Sequence, residues 1–268
     1  MQRALGAAGL FILLLATQAE ARIHLGRSSG THSSSVSARK RLHVNDLIAE
    51  PGTVELDWGG LYSYTTGAFT LPSAIKFTPD GNSFFWGRTE YSVSFDSVSS
   101  AVNTGTRSTQ FSDRVSFAAT SVVYDSEHFD IAVAPQVTTL LRNDSGVRAG
   151  ATTIARYDGG GNSIAATAGW SAATAASDTN PSGVWDFGGG IAHHLASMGT
   201  LAKVTPHANV SLEKSTGFEK TLALFGGVEY QVTERVAFDL SCQRFGVIGG
   251  GADRQILLGL TVNLGKIH

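Results

Sequence analysis

This chain has one cysteine, six prolines and two methionines in 268 residues. A single thiol, Cys242, cannot form an internal disulfide, so a cross-linked secreted scaffold is excluded. Charge is sparse as well. Only 16% of residues are Asp, Glu, Lys or Arg, against about 25% for an ordinary soluble domain. The formal net charge is −2, which carries no electrostatic footprint of a nucleic-acid binder. After the first twenty residues there is no apolar run of the roughly 20 residues that a membrane helix needs. Thirty-one glycines and few Leu-rich stretches argue against a helix bundle. The sequence also contains no H-E-x-x-H, C-x-x-C or P-loop spacing. No catalytic residue, metal ligand or cofactor is therefore expected.

The first segment reads as a secretory signal over residues 1–21. Arg3 supplies the positive end, Leu10 to Ala16 the short apolar core, and Ala19-Glu20-Ala21 a small-x-small cleavage site that would leave Arg22 first. Residues 22–50 read as a Ser-rich basic disordered leader containing Arg22, Arg27, Arg39, Lys40 and Arg41, either a plain solvated linker or a tail that touches lipopolysaccharide or peptidoglycan. From residue 51 to 268 the dominant signal is period-two alternation. Val236, Phe238, Leu240 and Cys242 alternate with Ala237, Asp239, Ser241 and Gln243; Ile256, Leu258, Leu260, Val262 and Leu264 repeat the pattern. Similar stretches start near Val54, Thr89, Val115, Phe129, Val204 and Leu222. Weaker ones lie at 147–157, 163–173, 184–195 and 74–78. Alternation of this kind makes a strand with one oily and one polar face.

An exported chain with ten to twelve such strands, each near the roughly 10 residues that cross a bilayer at a tilt, predicts a closed antiparallel up-and-down transmembrane β-barrel. Known bacterial barrels have even strand numbers, which favours twelve. Aromatics near strand ends, among them Trp58, Tyr62, Tyr124, Phe129, Tyr157, Trp170, Trp185 and Tyr230, fit girdles at two membrane interfaces. Turn chemistry at Thr233-Glu234-Arg235 and Asp125-Ser126-Glu127 is short and polar, while 97–112 and 177–183 read as longer loops. Pro135 and Pro206 fall mid-strand and predict bulges, since proline removes a ladder donor. Cys242 lies on the oily face and reads as a small buried hydrophobe.

The stretch Gly226 to Val236, with its Thr233-Glu234-Arg235 turn, resembles small outer-membrane barrels. It is similar in particular to the porin group of the MetA pathway of phenol degradation. Glu50 to Leu56 and Leu258 to Lys266 look like that group's first and last strands. The resemblance implies an outer-membrane location in a Gram-negative bacterium and passage of small molecules, with hydrophobic or aromatic solutes among them. It brings no defined functional residues. The tail Leu264-Gly265-Lys266-Ile267-His268 departs from the aromatic ending usual in such barrels.

On the barrel reading the polar faces line the lumen. Candidate lining residues are Glu90, Asp96, Arg114, Asp130, Gln136, Arg148, Arg156, Lys203, His207, Glu229, Asp239 and Gln243. The expected partners are outer-membrane lipid, lipopolysaccharide and a small-molecule solute. The oligomeric state is not legible. Two other readings stand beside the channel. One is a plugged structural or surface-interaction barrel, stopped by inward side chains or the basic leader. The other is a barrel hydrolase using His193, His194 or His207. The Gly26-Arg27-Ser28-Ser29-Gly30 match to a nucleophile elbow lies in the leader, without the strand and helix such an elbow needs.

Overall fold

A strand at the edge of an open sheet leaves a row of backbone N–H and C=O groups unpaired. The computed structural model solves this by closure. It describes residues 48–80, 88–103, 106–110, 114–140, 146–175, 181–195, 199–248 and 252–266, together with a two-residue bridge between 19–20 and 33–34. Most of the signal segment and most of the basic leader lie outside the described residues.

The strands are β1 (Thr53–Ser63), β2 (Phe69–Thr78), β3 (Thr89–Asn103), β4 (Thr106–Gln110), β5 (Arg114–Asp125), β6 (Phe129–Leu140), β7 (Val147–Gly159), β8 (Asn162–Ala173), β9 (Gly183–His193), β10 (Val204–Ser215), β11 (Lys220–Thr233), β12 (Val236–Val247) and β13 (Ala252–Lys266). Every barrel strand pairs antiparallel with its sequence neighbour, and β13 returns to β1 through Gly259↔Gly59 and Leu260↔Trp58. The result is a closed barrel of twelve strands, with β4 an extra hairpin arm on β3. Among the described residues no helix is long and apolar enough to cross a membrane.

The alternation runs as the sequence pattern predicts. Along β8, Ile164, Ala166, Ala168 and Trp170 are exposed on the outside, while Ser163, Ala165, Thr167, Gly169 and Ser171 are buried within. Exposed aromatics gather toward both ends of the exterior. At the end carrying the start of β1 and the close of β13, Phe129 pairs with Tyr157 and Tyr230 with Phe238. At the other end, Tyr62 pairs with Phe69 and Trp170 with Trp185.

Several expectations are corrected. The 97–112 loop is instead the continuation of β3 to Asn103 and the arm β4. A register shift opposite Leu71 and Pro72 inserts Ser97 as an extra residue, which throws the following alternation out of phase. The 74–78 strand begins five residues earlier, at Phe69. Neither Pro135 nor Pro206 sits at a bulge. Pro206 lies beyond the last β9–β10 pair, Ala192↔His207, so no bond on that side is lost. Pro135 keeps its register with β7 through Ala151. Bulges occur instead at Leu71/Pro72, Val122/Tyr124, Gln231/Thr233 and Asn263/Gly265. Cys242 is exposed on the outer face rather than buried in protein. Ile48 and Ala49, just ahead of β1, are enclosed, each 2% exposed.

Candidate functional site: the barrel interior

Interior side chains come from alternate positions on all twelve strands, so their chemistry is set by parity along each strand and by register between strands. Most candidate residues from the sequence do point inward. Glu90, on β3, is buried and accepts a hydrogen bond from the Ala49 amide at 3.0 Å. Arg114 and Gln136 are half-buried on β5 and β6. The Arg156 guanidinium, on β7, lies 3.0 Å from Asp130 Oδ2 and 2.7 Å from Asp158 Oδ2, and is almost fully enclosed. Arg148, also on β7, donates to Ser171 Oγ at 3.0 Å and to the Pro181 carbonyl. Gln243 is buried on β12 and faces Phe225 and Gln255 across its two ladders.

Two candidates fall elsewhere. Lys203 is not on a strand. It ends a 3₁₀ turn, Gly199–Lys203, is exposed, and donates to the Val232 carbonyl at 3.0 Å. The turn takes it off the β10 alternation that parity had assigned to it. The Asp96 side chain lies outside the described residues, although its backbone pairs with Pro72.

The same parity rule brings in residues the sequence reading passed over. Lys76 of β2 is clamped between Glu55 Oε1 at 3.3 Å and Asp57 Oδ2 at 2.5 Å, all three nearly inaccessible to water. Buried charge persists only when paired in this way. Asp186 on β9 directly opposes Glu213 on β10. Glu229 on β11 directly opposes Asp239 on β12. Asp253, on β13, accepts hydrogen bonds from the Thr65 amide and the Gln255 amide group.

Interior charge is unevenly spread. On β1–β7 the described inward cations Lys76, Arg114, Arg148 and Arg156 face the carboxylates Glu55, Asp57, Glu90, Asp130 and Asp158. On β9–β13 the inward carboxylates are Asp186, Glu213, Glu229, Asp239 and Asp253, and none of the described inward side chains is a lysine or arginine. The described interior thus holds ten carboxylates and four permanent cations, with the excess acid on one wall.

His207 joins that wall. Its Nε2 is 3.1 Å from Ser241 Oγ and 3.4 Å from Asp239 Oδ2, and Ser241 donates to Asp239 Oδ1 at 2.8 Å. Gly227 makes room for this group, since a Cβ there would sit 2.8 Å from His207 Nε2. A serine nucleophile relay needs the hydroxyl on one ring nitrogen and the carboxylate on the other. Here both meet the same nitrogen, so these three residues do not assemble that machinery. His193 and His194 bond to Asn162 Oδ1 at 2.9 Å and Thr205 Oγ1 at 3.4 Å. Among the described residues no group of three His, Cys, Asp or Glu could hold a metal ion.

At the end carrying both barrel termini, Ile48 packs on Val122 and Ala132, which face inward from β5 and β6. The chain just ahead of β1 therefore occupies the mouth. Further along, Phe225 packs on Phe245 and Ala223 as an apolar patch on the inner wall.

No family model matches the chain, and no curated protein matches it in sequence. Solved structures do match in shape. The KdgM porin in complex with disordered oligogalacturonate is 10% identical, over 80% of this chain and 99% of that one, with a TM-score of 0.53. The NanC porin is 10% identical, over 78% and 100%, at 0.55. An outer membrane channel from Pseudomonas putida F1 is 6% identical, over 81% and 97%, at 0.55. At such identities the likeness is one of fold: this chain has the closed barrel seen in outer-membrane porins and channels.

Proposed function

We propose that this protein is a passive channel of the outer membrane that admits small solutes and favours cations over anions. The observation that carries the reading is the separation of faces. The outer surface is apolar between the aromatics at its two ends, and the inner surface is polar and charged, which is the distribution that lipid outside and water inside require. Short turns such as Gly160-Gly161 and Glu234-Arg235 lie at the end with both barrel termini, so that end is assigned to the periplasm. Export through a cleavable signal ending at residue 21 belongs to the same proposal.

The preference for cations follows from the interior charge. A passage walled by low dielectric concentrates ions of the opposite sign to its lining. Among the described interior side chains, ten carboxylates against four cations make that lining acidic. An oligogalacturonate, the polyanion named with one structural neighbour, is the kind of solute such a lining repels. The resemblance to the MetA-pathway porin group adds aromatic solutes. Phe225 and Phe245 on the inner wall support that addition, and Phe245 directly opposes Asp253. A ring beside a carboxylate suits an organic cation better than a neutral hydrocarbon.

Refolded mature protein in planar bilayers tests this. A stable conductance whose zero-current potential in a KCl gradient has the sign of K⁺ selectivity is expected. Absence of conductance would sink the channel; a Cl⁻ preference would leave the channel standing and sink the charge argument.

A further inference from the structure

The outer face carries a feature that transport does not explain. On β10–β13 the outward positions are apolar from the periplasmic end to within a few residues of the opposite rim. There they become basic. Lys214 directly opposes Lys220 across β10 and β11, and Arg244 directly opposes Arg254 across β12 and β13. All four side chains are exposed. No Asp or Glu lies on the outward face of these strands; Glu213 and Asp253, the sequence neighbours of Lys214 and Arg254, point inward, and the exposed Glu219 precedes Lys220 in the turn.

Like charges directly opposite in a ladder sit with their Cβ atoms about 5 Å apart and destabilise the pair. Here two such pairs stand on neighbouring strands. The Lys214 ammonium is turned to the Phe218 carbonyl of the connecting turn. The side chains of Lys220, Arg244 and Arg254 make no hydrogen bond or ion pair with the described residues. Cations at mid-bilayer depth on a barrel exterior cost about 2–4 kcal/mol each, but close to nothing at the interface. Their position beside the rim, next to Trp185, which pairs with Lys214, and Tyr64, whose amide donates to the Arg254 carbonyl, places them at headgroup level among the aromatics of that end.

We propose that Lys214, Lys220, Arg244 and Arg254 form a docking strip for the phosphates of a phosphorylated outer-leaflet lipid, the lipid A of lipopolysaccharide. Arginine forks match phosphate oxygens two at a time. An anion between the paired cations removes their mutual repulsion. The commitment to lipid rather than free phosphate rests on the setting: the strip adjoins an apolar surface that acyl chains would cover, and it lies at the end assigned above to the cell exterior. The proposal rests on that membrane orientation.

Native mass spectrometry of the detergent-solubilised full mature chain tests it. The probes are diphosphorylated lipid A, the same lipid without phosphates, and inorganic phosphate. The wild type is expected to retain diphosphorylated lipid A, with inorganic phosphate failing to displace it. The double variant Arg244→Gln/Arg254→Gln should lose about thirtyfold in affinity, each basic residue near an anionic surface being worth roughly fivefold. Lys214→Gln/Lys220→Gln, at a different ladder, guards against a folding defect in the first variant. Equal retention by wild type and both variants would overturn the strip. Equal retention of the dephosphorylated lipid would show acyl contact alone and overturn it too. Conductance plays no part in this assay, so a failed channel and a failed strip give separate results.

Discussion

The Lys76 ammonium lies 2.5 Å from Asp57 Oδ2, in a three-residue charge cluster that Glu55 completes at 3.3 Å. With both carboxylates almost sealed from water, the lysine is their counter-ion, and β1 and β2 are cross-linked on the inner wall. Lys76→Met is expected to destabilise the barrel by about 3–5 kcal/mol, the cost of leaving buried charge uncompensated. The triple replacement Glu55→Gln/Asp57→Asn/Lys76→Met should recover most of that loss. Denaturant unfolding in lipid vesicles measures both. A near-neutral single variant would show that water reaches the cluster freely.

Gly226 and Gly227 are neighbours in sequence and opposite in surroundings. A Cβ on Gly227 would press on the Leu240 carbonyl oxygen at 2.7 Å and on the Ser241 hydroxyl, whereas a Cβ on Gly226 would meet nothing within 4 Å. Gly227→Ala should cost about 1–3 kcal/mol, the usual range for overpacking, and displace His207. Gly226→Ala should leave stability within about 0.5 kcal/mol, as surface changes do. The same unfolding assay compares them, and equal effects would contradict the assigned faces.

Ile48 closes part of the mouth at the end carrying both barrel termini, against Val122 and Ala132. Replacing it by Asp puts an unpaired charge in an apolar contact, which expels the segment. Single-channel conductance of Ile48→Asp, and of a chain beginning at Glu50, should rise at least about twofold over wild type, in keeping with a partly filled lumen in a barrel narrower than the 16–18-stranded porins. Unchanged conductance in both would mean that ions bypass this contact.

Much of the architecture was legible because an apolar outer face and a polar inner face write a period of two into every strand. Val236 to Cys242 and Ile256 to Leu264 show it without interruption, and both form full-length strands. It failed where a single extra residue shifts the phase. Ser97, inserted opposite Leu71 and Pro72, made the second half of β3 read as a polar loop. The interior was half legible. Parity alone points Glu229 and Asp239 inward, and the two-residue turn at Glu234-Arg235 brings them close to opposition. The opposition of Asp186 to Glu213 could not be read in the same way. The connection from His194 to Lys203 is too long to set a register, so only strand pairing reveals it. Likewise Ile48 carries no signal of its own; its burial depends on two strands more than seventy residues away.

The central claim is that the outward positions of these strands meet lipid while their neighbours meet water. Cys242 is the lone cysteine of the chain and faces outward on β12 between the aromatics of the two ends, so a nitroxide placed on the native thiol reports on that face directly. A companion label at position 241, made as Ser241→Cys/Cys242→Ser, reports on the interior. In vesicles, spin-label relaxation should show Cys242 open to oxygen and shielded from a water-soluble nickel chelate, with the reverse at 241. A label on Cys242 that collides freely with the nickel chelate, or one at 241 that behaves like it, would contradict the account.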